Sequence, residues 1–173
     1  MLQAALVSFF PLLMIYSAFS DLVSMTIPNK VSLALMAGFV VFAYWTGMSL
    51  ETFAWHWALF AIVLVAAIVL FTTGHIGGGD AKLVATTVLW LGWEHSLSYL
   101  FLASLIGAAL TILMIRLRGN VIPDRVEKIE WIARLYRADS GIPYGIALGA
   151  AAIVIYPETR WMEPVFSIAM PGM

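Results

Sequence analysis

Residues 52–82 read TFAWHWALFAIVLVAAIVLFTTGHIGGGDAK, and the first charge after Glu51 is Asp80. A helix needs about 20 apolar residues, roughly 30 Å at 1.5 Å per residue, to cross the hydrocarbon core of a bilayer. This stretch therefore holds a complete span and ends in a glycine run followed by an acid. The same pattern extends outward in both directions, because residues 1–20, 31–50, 95–115 and 140–157 also lack Asp, Glu, Lys and Arg. Residues 83–93 are apolar but short, and reach span length only if Asp80 and Lys82 sit at their end. The reading is an all-α polytopic membrane protein, one domain over residues 1–173, with six transmembrane helices at about 2–20, 31–49, 54–72, 80–94, 96–115 and 141–157. No Lys or Arg precedes the first apolar run, so it lacks the basic start of a cleaved signal peptide and is expected to be a permanent span.

Composition agrees and narrows the chemistry. The chain is 62% hydrophobic and 11% charged, against roughly 45–50% and about 25% in a soluble domain. A net charge of −1 leaves none of the basic footprint that nucleic-acid binding requires. With no cysteine and three scattered histidines, disulfides, thiol nucleophiles and cysteine metal sites are excluded, and neither a metal nor a cofactor is expected.

Six spans sort the cations. Lys30, Lys82, Arg116, Arg118, Arg125, Lys128, Arg134 and Arg137 fall in connections on one side, while Arg160 alone falls on the other, with Glu51, Glu94, Glu158 and Glu163. Cytoplasmic loops retain Lys and Arg, so both termini are expected outside, and an odd number of spans would spoil the segregation. Within the charged loop 116–139, Val126, Ile129, Ile132, Ala133 and Tyr136 recur at helical spacing. An amphipathic helix on the inner leaflet is expected there, with docking of a partner as the alternative.

Ionisable groups at the ends of spans are costly and count as functional candidates. Asp21 ends the first span and Asp80 opens the fourth, both on the cytoplasmic side of this topology. Two carboxyl groups at similar depth suit peptide hydrolysis, one taking a proton from water while the other donates to the scissile carbonyl. Like charges at close range do not both ionise easily, so such a pair titrates as a unit. Asp80 also reads as the cap of span four and as the base-like member of the pair. Gly77, Gly78 and Gly79 lack side chains and let backbone or substrate approach, which suggests an extended peptide lying against a wet cavity at residues 74–79. Taken singly, the plain alternatives are a helix cap for Asp80 and a solvated helix end for Asp21.

An aspartate after the first span, then Ile27-Pro28-Asn29, then Gly77-Gly78-Gly79-Asp80 followed by Lys82-Leu83, resembles the membrane aspartic peptidases that process type IV prepilins. Pro143-Tyr144-Gly145, at the start of span six, looks like that family's Pro-aromatic-Gly segment. The resemblance implies that Asp21 and Asp80 are the catalytic pair. It also implies removal of a short basic leader, ahead of the hydrophobic pilin segment, at the cytoplasmic face of the bacterial inner membrane. Larger members of the family add a cysteine-bearing cytoplasmic domain and methylate the new N-terminus. This sequence shows neither feature and is therefore similar to the short enzymes serving Flp-type (tight adherence) pili, with archaeal preflagellin peptidases a near alternative. The expected partners are the prepilin leader with its apolar segment, the lipid bilayer and, through loop 116–139, pilus assembly components.

The other candidates carry structural readings beside functional ones. Pro28 and Asn29 shape a turn or touch substrate. Lys82 pairs with an aspartate or anchors the positive side. Gly145 and Gly149 form a Gly-x-x-x-Gly that brings span six close to a neighbour. His75 beside the glycines makes no metal site alone, and His56, His95 and most of the seven tryptophans are expected at the interface. Two rival functions remain: a small proton-coupled transporter, whose acids would lie near mid-membrane, and a noncatalytic assembly subunit that docks through loop 116–139.

Overall fold

The computed structural model describes residues 2–119, 128–137 and 139–163. These form six helices: α1 (Leu2–Ser24), α2 (Asn29–Trp45), α3 (Leu50–Thr72), α4 (Gly78–Arg118), α5 (Glu130–Tyr136) and α6 (Tyr144–Ile155). A 3-10 turn, Tyr156–Glu158, follows the last. Three of them, α1 from Gln3, α3 and α4, are long and apolar enough to cross a membrane, and α2 and α6 are shorter apolar helices. Large apolar side chains such as Leu12, Phe19, Val65, Phe101 and Ile115 point outward, the surface that a bilayer would solvate.

Local chemistry sets the helix ends. α1 runs past Asp21 and stops at Met25, whose left-handed φ of 54° ends the helix while its N–H bonds the Asp21 carbonyl at 2.8 Å. Pro28 supplies the extended residue before α2. Ser49 caps α3, its hydroxyl accepting the Thr52 N–H at 3.1 Å.

The sequence places the junction of spans four and five at Glu94-His95, whereas the structure reverses the chain at Gly92. There φ is 68° and ψ −174°, a conformation essentially restricted to glycine. The hydroxyl of Tyr99 lies beside Thr87, although residues twelve apart on a straight helix would be about 18 Å apart. The break strands the carbonyls that precede it, and distant side chains satisfy two of them. His56 donates from Nδ1 to the Leu89 oxygen at 2.7 Å, and the Trp161 indole donates to the Trp90 oxygen at 2.6 Å. His56, Trp90 and Trp161 are therefore buried, not interfacial as the spacing suggests. Around Trp90 gather Phe9, Phe10, Phe42 and Trp161, which makes this end of the bundle an aromatic core.

A Cβ on Gly92 would lie 2.8 Å from Cε1 of His56. Gly92→Ala is expected to cost about 1–3 kcal/mol through its backbone alone, read as a lower midpoint of thermal unfolding in detergent. An unchanged midpoint would refute this account of the reversal.

At the opposite end, α5 packs on the ends of α1 and α4. Leu135 is buried, Arg134 Nη1 donates to the Val23 carbonyl at 3.3 Å, and Arg118 Nε donates to the Leu135 oxygen at 3.0 Å. Part of the expected amphipathic stretch is thus a short helix held by protein contacts, while Arg125 and Val126 lie outside the described residues. Beyond it, Arg137 pairs with Asp139 at 3.0 Å and holds that carboxyl below the ordinary carboxylate range, an exposed pair of little energetic weight.

Candidate active site

α1 and α4 run antiparallel, and Thr87 Oγ1 meets Met14 Sδ between them at 3.8 Å. Asp21 lies seven residues after Met14 and Asp80 seven before Thr87. Seven residues are close to two helical turns, so both acids project from the contacting faces and arrive at the same depth. They are near enough for their charges to interact. Asp21 is buried, 6% exposed, and Asp80 is half-buried.

A backbone N–H orients the Asp21 carboxyl. Asp21 Oδ2 accepts the Gly145 N–H at 2.7 Å, a donor in the first turn of α6 that has no partner within its own helix. Asp80, the third residue of α4, turns back toward Gly77, the residue before the helix, whose added Cβ would lie 2.9 Å from Asp80 Oδ2. A Cβ on Gly145 would lie 2.8 Å from Cβ and 2.9 Å from Oδ2 of Asp21. Only glycine admits this approach. Gly149, one turn further, would place a Cβ 2.9 Å from the Met14 carbonyl oxygen, so the Gly-x-x-x-Gly pair sets α6 against α1 and in doing so aims a donor at Asp21.

The glycine run is more regular than its composition suggests. Gly78 and Gly79 form the first turn of α4, and Gly77 is extended at φ −71°, a value open to any residue. Gly79 matters through proximity, since its Cβ would stand 3.2 Å from Cβ of Ile27. Ile27 is buried and wedges the end of α1 against the start of α4. Its turn is tied down by Ser20 Oγ, which donates to the Thr26 carbonyl at 2.8 Å. Pro28 precedes α2, and Asn29 accepts a hydrogen bond from Lys82 Nζ at 2.8 Å. Lys82 thus bonds a neutral amide, and among the described residues it forms no ion pair with either aspartate.

Pro143 precedes α6, and the hydroxyl of Tyr144 meets Thr111 Oγ1 at 2.9 Å. Tyr144 and Pro143 therefore fix the start of α6, and the donor to Asp21 comes from Gly145. His75 bonds Thr73 Oγ1 at 2.8 Å.

Sequence reasoning missed three positions: Ile27 as the wedge, Arg134 as a clamp on the end of α1, and Tyr99. The last is fully buried with its hydroxyl beside Thr87, no well-formed hydrogen bond, and the Asp80 charge within range. A tyrosine inside an apolar run carries no motif, so only its neighbours mark it out.

A cavity of about 810 Å³ lies at the other end of the bundle, around Gly92, lined in part by His56, Glu94, His95 and Arg160. It mixes acids with a cation and holds no pair of oriented carboxyl groups, so the hydrolytic chemistry belongs with the aspartates. Among the described residues no three His, Cys, Asp or Glu side chains converge as a metal-binding set.

The family model described as the type IV leader peptidase family matches residues 8–112. That interval contains Asp21, Ile27-Pro28-Asn29 and the glycine run with Asp80, and ends before Pro143. No curated protein and no solved structure matches the chain.

Proposed function

Because this chain belongs to the type IV leader peptidase family, a family of proteases, we propose that it is an aspartic endopeptidase acting through Asp21 and Asp80. Its three long apolar helices make it an integral membrane protein. The observation that carries the reading is the pair of carboxyl groups at one depth, close enough for their charges to interact, with Asp21 oriented by the Gly145 N–H. A water between them loses its proton to one carboxylate as it attacks the scissile carbonyl. The other carboxyl, protonated, donates to the carbonyl oxygen; as the C–N bond breaks and the C=O re-forms, it recovers that proton while the first carboxyl passes the proton taken from water to the leaving amine. Gly145 holds Asp21 in place, so little reorganisation of that group accompanies attack.

The substrate is a type IV prepilin, of the Flp type, whose basic leader is removed ahead of its apolar segment. One domain of six spans carries the site, with both ends of the chain outside. The cleavage end faces the cytoplasm, because Lys30, Lys82, Arg116, Arg118, Lys128, Arg134 and Arg137 gather at the aspartate end of the helices. That assigns it to the inner membrane of a bacterium, with loop 116–139 turned toward the assembly machinery. Both acids lie within a turn of helix termini, and this placement favours hydrolysis over proton-coupled transport, whose sites belong near mid-membrane.

The test is incubation of the purified full-length protein, in liposomes, with a Flp-type prepilin, reading product masses. Release of an intact leader is expected. Prepilins of the Flp type that all stay uncut, while the protein is inserted and folded, would overturn the reading.

A further inference from the structure

We propose that Arg118 is a positioning residue for Asp21, acting through the loop 140–144 that presents the Gly145 N–H to it. The proposal rests on the peptidase reading and names what holds that donor in place. Arg118 is the last residue of α4 and is half-buried. Its Nη2 donates to the Ser140 carbonyl at 3.0 Å, the Ser140 hydroxyl at 2.9 Å and the Gly141 carbonyl at 2.7 Å, while Nε holds the Leu135 carbonyl. Among the described residues it forms no ion pair. A cation that spends its donors on main-chain carbonyls fixes backbone, and the planar guanidinium fork fixes it in one orientation.

Gly145 lies four residues after Gly141, and the chain between them has little freedom. Pro143 fixes its own φ, here −73°, the Tyr144 N–H bonds the Ile142 carbonyl at 2.8 Å, and the Tyr144 hydroxyl meets Thr111. Gly107, Thr111 and Arg118 follow one another at four and seven residues, spacings that keep them on one face of α4. A Cβ on Gly107 would lie 3.0 Å from Cε1 of Tyr144. One face of α4 therefore grips both the loop and the first residue of α6, and the next residue delivers its N–H to Asp21. The same network holds the other side of that contact. Ser140 Oγ donates to the Arg134 carbonyl at 2.6 Å, and the Arg134 side chain donates to the carbonyl of Val23, two residues past Asp21. The connections close a ring from α1 through α5 and Ser140 to α6, and back to α1 across the Asp21–Gly145 bond. Lysine would keep the charge of Arg118 but not the fork that spans Leu135 and Gly141, so charge and geometry are separable.

The experiment compares Arg118→Gln, Arg118→Lys and Ser140→Ala with wild type in the full-length protein, by two readouts. The first is kcat and KM for a Flp-type prepilin. Both Arg118 variants are expected to lose about tenfold or more in kcat with KM little changed, since misplacing a catalytic group by about 1 Å costs on the order of 10²-fold. In a Gly145→Ala background neither should lower kcat further, because the bond they act through is already lost. The second readout is hydrogen exchange at the Gly145 amide in protein labelled with 15N-glycine, its resonance being the one absent from Gly145→Ala. Exchange about tenfold faster is expected in both Arg118 variants. Arg137→Gln is the control, since that exposed side chain pairs with Asp139, and it should change neither readout. A wild-type kcat or wild-type Gly145 exchange in Arg118→Gln, full recovery of both in Arg118→Lys, or a loss that multiplies with that of Gly145→Ala would overturn the proposal. Should Arg118→Gln not fold, Ser140→Ala decides: a kcat lower by a few fold with faster Gly145 exchange is expected, and wild-type values of both would overturn it. Exchange is read without prepilin, so failure of the peptidase reading and failure of this one are separate results.

Discussion

Asp21→Asn and Asp80→Asn are each expected to slow prepilin cleavage by about 10²–10⁴-fold, the usual contribution of a positioned general acid or base. Asparagine keeps the size of the side chain and, at position 21, a carbonyl oxygen able to accept the Gly145 N–H, so the fold and the helix starts should persist. It neither takes a proton from water nor delivers one to the substrate. Because the carboxyls act on one water and share their protons, the double variant should be little worse than either single one. Cleavage time courses with membranes matched for protein content give the measurement. Asp139→Asn is the control, since Asp139 is exposed and pairs with Arg137 at the loop, and it should cut at the wild-type rate. Retention of cleavage within a few fold by either site variant would remove the paired-aspartate mechanism.

Gly145→Ala carries the second large effect and probes positioning, not proton transfer. The added methyl falls 2.8 Å from Cβ of Asp21, an atom fixed to the α1 backbone that cannot swing aside. Either α6 retreats or Asp21 turns, and the 2.7 Å hydrogen bond onto Oδ2 is lost in both cases. Misplacement of a catalytic group by about 1 Å costs on the order of 10²-fold in rate, so kcat should fall by about that factor with KM for prepilin nearly unchanged. Should Gly145→Ala cut at a wild-type kcat, the approach of α6 would not be what orients Asp21.

Much of this architecture is legible along the chain. Charge-free runs of span length mark the helices, and the cations segregate to alternate connections, because burial of apolar side chains depends mainly on local composition and length. The two acids can be picked out at the ends of their spans for the same reason, since a charge in an apolar run is costly wherever it falls. Even their common depth is implicit in numbering once a single contact, Met14 with Thr87, sets the register of α1 against α4.

The rest required the tertiary structure, because hydrogen-bond partners far apart in the chain are chosen by packing. Gly92 reverses α4 only because His56 and Trp161 take up carbonyls freed by the break, a compensation spread over three distant segments. Lys82 meets Asn29 and not an acid because the starts of α2 and α4 are drawn together there. Gly145, read from sequence chiefly as a packing residue, is both packing and site, since the contact that admits α6 against α1 also delivers its free N–H to Asp21. Composition and spacing along the chain are enough to mark the apolar helices, their order and the two candidate acids. What orients Asp21 follows from packing alone, because its N–H donor comes from α6 and is available only where that helix meets α1.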